Sequence, residues 1–149
     1  MRVYLVVIDE TAEAHVALRF AARRAARTSG AVHLLAIVPK QAFNAFGNVQ
    51  ATIEEEARNR AEVLANSAAG ELISEGGAMP QITVRMGDGK QVISEYLEQN
   101  DEIAALVLGA AEGTPGPLVS HFSAHAGSMP CPLFVVPGSL SDEEIDRLS

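Results

Sequence analysis

The chain has 149 residues, of which 48% are hydrophobic and 20% charged, a composition typical of a globular domain. A chain of this length buries about 70% of its unfolded surface, so one domain is expected. Its 19 acidic and 11 basic residues give a net charge of −8. Because phosphate backbones and anionic lipids would repel that charge, we expect neither nucleic-acid nor membrane partners.

Cysteine usage and the apolar segments indicate the compartment. Cys131 is the single cysteine, so an intrachain disulfide or a thiolate metal cluster is excluded, and we expect a small buried hydrophobe. The N-terminal apolar run at 3–8 is shorter than a signal-peptide core, and no segment approaches the length of a membrane span. These features predict a cytoplasmic protein.

Short apolar runs and helical patterns alternate from the N-terminus. Val3–Ile8 is continuously apolar, which predicts a strand covered on both faces. Thr11 is placed to cap a following helix, and Gly30 is predicted to stop it. Ala31–Val38 predicts a second buried strand, closed by Pro39.

The central part continues the alternation. A long helix is predicted at about 52–75, ended by two glycines at 76–77. Gln81–Met86 predicts a third strand, and a Gly-Asp-Gly turn at 87–89 leads into another helix. The later predicted elements are a strand at 103–108, a Gly/Pro-rich loop at 109–117, a short helix at 118–128 and a strand at 133–136.

The β-α-β-α-β-α-β-α-β order predicts a single α/β domain with a parallel sheet, helices on both faces and right-handed crossovers. We place this domain at 1–138 and a short acidic, partly helical tail at 139–149. Ser141 and Glu144 form the pattern of a capping box that would start the tail helix.

Parallel sheets bind ligands beyond the carboxyl ends of their strands, where strand order reverses. Two predicted loops carry suitable chemistry there: the acidic segment that starts at Asp9, and the loop that runs from Gly109 through Gly113 and Gly116 to Ser120. Glycines allow close backbone approach, and a helix N-terminus favours an anion. The alternative is a tight connection whose glycines only supply positive φ angles.

Four segments resemble the universal stress protein family over residues 2–137. They are Val-Ile-Asp at 7–9, Leu-Leu-Ala-Ile-Val at 34–38, Ala-Leu-Val-Leu-Gly at 105–109, and Met-Pro-Cys-Pro-Leu-Phe-Val-Val at 129–136. The resemblance implies a doubly wound, Rossmann-like sheet of five strands in the order 3-2-1-4-5. It also implies a homodimer in which the last strand, at the sheet edge, pairs with its counterpart. The acidic tail would either cover that edge or add to the contact.

ATP-binding members carry a Gly-x2-Gly-x9-Gly-Ser/Thr loop after the fourth strand. By this resemblance, Asp9 holds ribose or adenine, and Ile37 contacts the adenine. Gly109 opens the phosphate cradle, Gly113 and Gly116 continue the loop, and Ser120 supplies the final hydroxyl.

The loop departs from that pattern. Gly109 lies eleven residues before Ser120, three fewer than in the motif, and Val119 replaces the glycine before the hydroxyl residue. Glu112 stands at the spacing of the middle glycine, and no Lys or Arg lies between 109 and 120. Prolines at 115 and 117 lack the N–H that a phosphate would use. We therefore expect weak ATP binding that needs Mg²⁺ or a distant arginine, and favour AMP or another small anion.

Other patterns give no catalytic or metal site. His121 and His125 have the spacing of a metal-binding pair, but no third ligand is apparent, so solvated or capping histidines are expected. No Ser-His-Asp order, nucleophile elbow or dinucleotide-binding glycine motif occurs. Phe43 and Phe46 would either form an apolar lid or pack in an ordinary loop.

Three functions are compatible with this sequence. The first is a universal-stress-like protein that binds a small ligand, such as an adenine nucleotide, in stress response or signalling. The second is a dimeric interaction module that binds no nucleotide. The third is a weak ATP hydrolase or self-phosphorylating protein with Ser120 or Ser123 as acceptor, although no general base is suggested by spacing.

Overall fold

The computed structural model describes residues 1–39 and 47–149. The strands are β1 (Val3–Ile8), β2 (Ala31–Val38), β3 (Gln81–Met86), β4 (Ile103–Ala110) and β5 (Leu133–Pro137). The helices are α1 (Ala12–Thr28), α2 (Gly47–Ser74), α3 (Gly89–Gln99), α4 (Pro117–Ala124) and α5 (Asp142–Leu148), with a 3₁₀ turn at Ala126–Ser128.

The five strands form one parallel sheet in the order β3-β2-β1-β4-β5, which confirms the predicted topology. All six residues of β1 are buried because this central strand is covered by helices on both faces. Successive side chains alternate between two cores. Val6 and Ile8 pack in the core with α1 and α2, while Leu5 and Val7 pack in the core with α3 and α4.

Helix starts follow the side-chain caps in the sequence. The Thr11 hydroxyl accepts a hydrogen bond from the Ala14 N–H at 3.3 Å, which caps α1. Ser141 and Glu144 form the predicted capping box at the start of α5. Local side-chain chemistry therefore fixes where these helices begin.

The end of α1 differs from the prediction. Ser29, with φ 54°, is the left-handed residue that ends the helix, and Gly30 follows it. Gly30 is required for another reason, because a Cβ there would overlap the backbone carbonyl oxygen of Arg2. The glycine marks a close approach of two backbones rather than the helix stop itself.

Other predicted bounds also shift. α2 begins five residues before the predicted start at 52, and β4 extends two residues past 108. The helix predicted at 118–128 is interrupted at His125, whose backbone leaves the helical conformation before the 3₁₀ turn. Phe43 and Phe46 lie outside the described residues. Among the described helices, none is long and apolar enough to cross a bilayer.

The acidic tail packs on α1. Ile145 of α5 is 1% exposed and joins the core that contains Val136. Arg19 donates hydrogen bonds to the Asp146 carboxylate at 2.9 and 3.0 Å. The structure therefore places the tail helix over one face of the domain.

Candidate ligand-binding site

The candidate site lies where the chain reverses its direction across the sheet. β1 is followed by β2 on one side, whereas β4 lies on its other side, so the connections after β1 and β4 diverge. Such a switch point leaves a crevice beyond the carboxyl ends of the strands. Asp9 directly follows β1 and lies at this crevice.

Three adjoining clefts share Asp9. The central cleft, of about 460 Å³, also has Val7, Ile37, Gly89 and Leu118 in its lining. The α4 cleft, of about 190 Å³, lies between the start of α1 and the loop before α4. The α2 cleft, of about 380 Å³, lies between the ends of β1 and β2 and the middle of α2. Together they offer the volume and the branching that a multipart small ligand needs.

The Asp9 carboxylate is held by its own turn. Its Oδ1 atom accepts hydrogen bonds from the Thr11 N–H at 2.8 Å and from the Thr11 hydroxyl at 2.5 Å. The Asp9 side chain is exposed, and neither bond uses Oδ2. A fixed carboxylate with one oxygen outside this turn can accept hydrogen bonds from ligand hydroxyl or amino groups.

The central cleft has an apolar wall. Ile37 and Leu118 line it, and both lie next to Gly89, the first residue of α3. A Cβ at Gly89 would lie 3.1 Å from Leu118 Cδ2 and 3.8 Å from Ile37 Cδ1. The wall is therefore closely packed, and it suits a flat apolar ring.

Gly109 lines the α4 cleft opposite the start of α1. A Cβ at this position would overlap the backbone carbonyl oxygen of Glu13. Gly138 repeats the pattern, since its Cβ would lie 2.7 Å from Glu13 Cβ. Both glycines let α1 approach the end of the sheet.

Gly116 precedes α4 with φ 102°, and no side chain caps the helix. Pro117 has no N–H, so the first free amides of α4 belong to Leu118 and Val119, and both residues line the α4 cleft. The N-terminus of α4 therefore presents two backbone donors at the crevice.

The structure brings only part of the predicted site together. Asp9, Gly109 and Gly116 meet in the α4 cleft, and Asp9 and Ile37 meet in the other two. Gly113, with φ 79°, and Ser120 are exposed and line none of the three clefts. The Ser120 N–H is already bonded to the Gly116 carbonyl at 3.1 Å.

The clefts differ in charge. The α4 cleft is lined by the acidic residues Asp9 and Glu13 and, within the described residues, by no basic residue. The α2 cleft is lined by Asp9, Glu10 and Arg60. Of the described residues around the three clefts, Arg60 alone carries a positive charge.

Sequence reasoning missed Arg60 and Leu118. A usable signal existed for Arg60, which follows Ala57 by three residues and precedes Leu64 by four, so it shares the helix face that packs on the sheet. Leu118 had no comparable signal, because its role depends on where α4 starts relative to β1.

The histidines outside the crevice have structural partners. His33 is buried, and its Nδ1 lies 2.8 Å from the Tyr96 hydroxyl. Burial lowers the pKa of His33, an effect partly offset by the Glu102 carboxylate. His125 Nδ1 lies 2.8 Å from the His121 carbonyl oxygen, and the described part of the chain holds no cluster of three metal-ligating side chains.

Cys131 is only half-buried, so the expectation of a buried residue is met in part. Its side chain packs against the core beside α3 and α4. Burial raises the pKa of the thiol, which disfavours the reactive thiolate.

The sequence and the fold are similar to those of known proteins. The model of the universal stress protein family matches residues 1–137. UspA from Lactobacillus plantarum has a similar structure, with a TM-score of 0.73 and 20% identity over 91% of this chain and 97% of that chain. No curated protein sequence matches the chain.

Two further similar structures are nucleotide complexes. A universal stress protein family member from Arabidopsis thaliana with AMP bound has a TM-score of 0.65 and 15% identity, over 96% of this chain and 95% of that chain. The universal stress protein from Archaeoglobus fulgidus in complex with dAMP has a TM-score of 0.57 and 15% identity, over 91% and 97%. At these identities the likeness shows the fold.

Proposed function

This chain belongs to the universal stress protein family, and from that membership we propose that it binds an adenine nucleotide or nucleoside and acts in stress response or signalling. The observation that carries the proposal is the convergence of three clefts on the fixed carboxylate of Asp9. The adenine ring packs against Ile37 and Leu118, and the ribose hydroxyls donate to Asp9. The bound AMP and dAMP of the two structural neighbours support this ligand class.

The loop after β4 is a degenerate phosphate loop, so ATP is a poor ligand. Pro115 and Pro117 remove two backbone donors, and Glu13 adds a negative charge to the α4 cleft. A triphosphate carries up to four negative charges, which this cleft does not offset without Mg²⁺. AMP or adenosine fits the charge better.

Substitution of Asp9 tests the proposal. We expect Asp9→Asn to weaken AMP binding about tenfold, because the amide oxygen can still accept from Thr11 while the acceptor at Oδ2 is lost, a change worth about 1.4 kcal/mol. The measurement is calorimetric titration of AMP and adenosine, together with mass spectrometry of any compound released when the purified protein is denatured.

The control is Asp101→Asn, which removes the same charge from an exposed residue in the turn before β4, at the opposite end of that strand. This variant should bind AMP like the wild type. The proposal fails if the wild-type protein retains no adenine compound and binds neither AMP nor adenosine. It fails equally if Asp9→Asn binds as tightly as the control.

The open edge of the sheet favours a second candidate, a dimeric interaction module that binds no nucleotide. β5 lies at the edge of the sheet, and its Val135 side chain is 41% exposed. An apolar edge strand is a ready surface for pairing with another strand. In this alternative the loop after β4 is only a connection, and dimer formation does not depend on Asp9. Pairing through β5 is compatible with ligand binding as well, so we propose a homodimer for either function.

A further inference from the structure

We infer that Arg60 of α2 holds the anionic group of the ligand, so that the phosphate lies in the α2 cleft rather than at the N-terminus of α4. This inference rests on the proposed function and adds the orientation and the charge class of the ligand. It assigns a binding role to a residue outside the loop that the family resemblance indicates.

Arg60 lies beside the position proposed for the ligand. Its side chain is exposed and lines the α2 cleft, together with Asp9 and Ile37. Asp9 and Ile37 also line the central cleft, so a ligand on the apolar wall there can extend past Asp9 to Arg60 without leaving the crevice. Arg60 belongs to the helix α2, in which Ala57, one turn earlier, is buried. The backbone at Arg60 is therefore held in place.

The guanidinium is also available. Within the described part of the chain, no carboxylate oxygen lies within 4.0 Å of an Arg60 nitrogen, whereas Arg19 and Arg23 are both paired with acidic side chains. An unpaired arginine beside a cleft can offer two parallel N–H donors to a phosphate. The phosphate would then replace water rather than an existing partner.

The alternative position, in the α4 cleft, is electrostatically weaker. The N-terminus of α4 contributes about half a positive charge and two amide donors, but the acidic residues Asp9 and Glu13 line the same cleft. The α2 cleft is lined by Arg60 as well as by Asp9 and Glu10, so a full positive charge belongs to its lining. The described residues therefore favour the α2 side for an anion.

This arrangement limits the charge of the ligand. One guanidinium can neutralise one charge of a phosphate, and no second basic side chain lines the clefts among the described residues. The preferred class is a nucleoside carrying a single phosphate, open or cyclic. Added phosphates would bring more negative charge into a crevice lined by carboxylates.

The test compares AMP with adenosine by calorimetric titration of the full chain. Arg60→Gln should lower the affinity for AMP about tenfold while leaving the affinity for adenosine unchanged, because only the phosphate contact is lost. Arg58→Gln removes the same charge from an exposed position of α2 that lines none of the three clefts, and it should bind both compounds as the wild type does.

A second variant tests the rejected position. Glu13→Gln removes the negative charge of a residue that lines the α4 cleft, so it would strengthen AMP binding if the phosphate lay there. We expect the ratio of the affinities for AMP and adenosine to be the same in Glu13→Gln as in the wild type.

The outcomes separate this inference from the proposed function. If AMP and adenosine bind but Arg60→Gln leaves the ratio of their affinities unchanged, the assignment of Arg60 is wrong while the proposed function stands. An equal loss in Arg60→Gln and Arg58→Gln, or tighter AMP binding by Glu13→Gln, also overturns it. If the wild type binds neither compound, the proposed function itself fails.

Discussion

At Gly109, two physical demands coincide in one residue. A Cβ there would overlap the Glu13 carbonyl oxygen, so the packing of α1 against β4 already requires glycine. The same residue lines the α4 cleft, where a missing side chain leaves room for a ligand. The sequence alone does not distinguish a glycine needed for packing from a glycine needed for ligand binding. The role of Gly109 in a phosphate cradle therefore stays a prediction. A substitution at Gly109 would disturb the packing of α1, so its effect on ligand binding could not be separated from its effect on the fold.

His33 makes a pH-dependent contribution to stability. Burial lowers its pKa below the ordinary 6.5, so the folded chain keeps the imidazole neutral where the unfolded chain takes up a proton. This contribution is fully present above about pH 6.5 and is lost as the pH falls from there toward the folded pKa. We expect the wild-type free energy of unfolding to decrease between pH 7.5 and 5.5, with His33 contributing at most about 1.4 kcal/mol per pH unit.

Urea denaturation at the two pH values measures the effect. His33→Gln should lose the part of the decrease that comes from His33, because glutamine does not titrate and can still bond to the Tyr96 hydroxyl. His15→Gln, at a histidine side chain that is 46% exposed on α1, serves as the control. Equal pH dependence in His33→Gln and wild type would contradict this interpretation.

At the scale of elements, periodicity predicted every strand because each has a distinct local signal. The six-residue apolar run of β1 is buried throughout, and β3 begins and ends at the predicted residues. The helix ends were less well defined, as the start of α2 and the break at His125 show. Capping side chains such as Thr11 and Ser141 gave the sharpest bounds, since they satisfy free backbone N–H groups directly.

Local sequence signals could not predict where α5 packs. Its capping box predicted a helix, but its partner is α1, more than a hundred residues earlier in the chain. Asp146 receives hydrogen bonds from Arg19 and Arg23, and the bonds from Arg19 hold the pKa of that carboxyl below its ordinary value. This carboxylate stabilises the docked helix above its ordinary pKa, and that effect is lost as the pH falls through the folded pKa.

Ile145 anchors α5 by its apolar side chain. It is 1% exposed, so Ile145→Ala should lower the free energy of unfolding by about 2–5 kcal/mol through the cavity it leaves. Leu148→Ala, on the same helix at a side chain that is 55% exposed, should change it by no more than about 0.5 kcal/mol. Urea denaturation at pH 7.5 compares the two, and equal effects would show that α5 is not anchored in this way.

At the scale of the molecule, the sheet order and the position of the crevice were predictable, whereas its electrostatics were not. The alternation of strands and helices, with the family resemblance, placed Asp9 and Gly109 at one switch point. Arg60 reaches that crevice from the second crossover helix, so its proximity to Asp9 exists only in three dimensions. Charge patterns along the sequence report net charge, but they do not show which cleft a charge lines.

The two edges of the sheet differ in a way that predicts the assembly. The edge strand β3 carries Gln81 and Arg85, and charged or polar side chains disfavour pairing with another strand. The other edge strand, β5, has the uncharged sequence Leu-Phe-Val-Val-Pro. Because each chain carries a net charge of −8, association requires an apolar contact that outweighs mutual repulsion. β5 is therefore the edge through which we propose that two copies pair.

Val135 tests this assembly. Its side chain is 41% exposed on β5, so Val135→Glu places a charge directly in the proposed strand pair and should convert a wild-type dimer into a monomer. Val63→Glu introduces the same charge on α2, at a side chain that is 68% exposed, and should leave the dimer intact. Light scattering at micromolar concentration distinguishes the two states. Pairing through β5 would bring the glutamates of the two copies together without a partner of opposite charge, which is costly. A wild-type monomer, or a Val135→Glu protein that still forms a dimer, would therefore rule out pairing through β5.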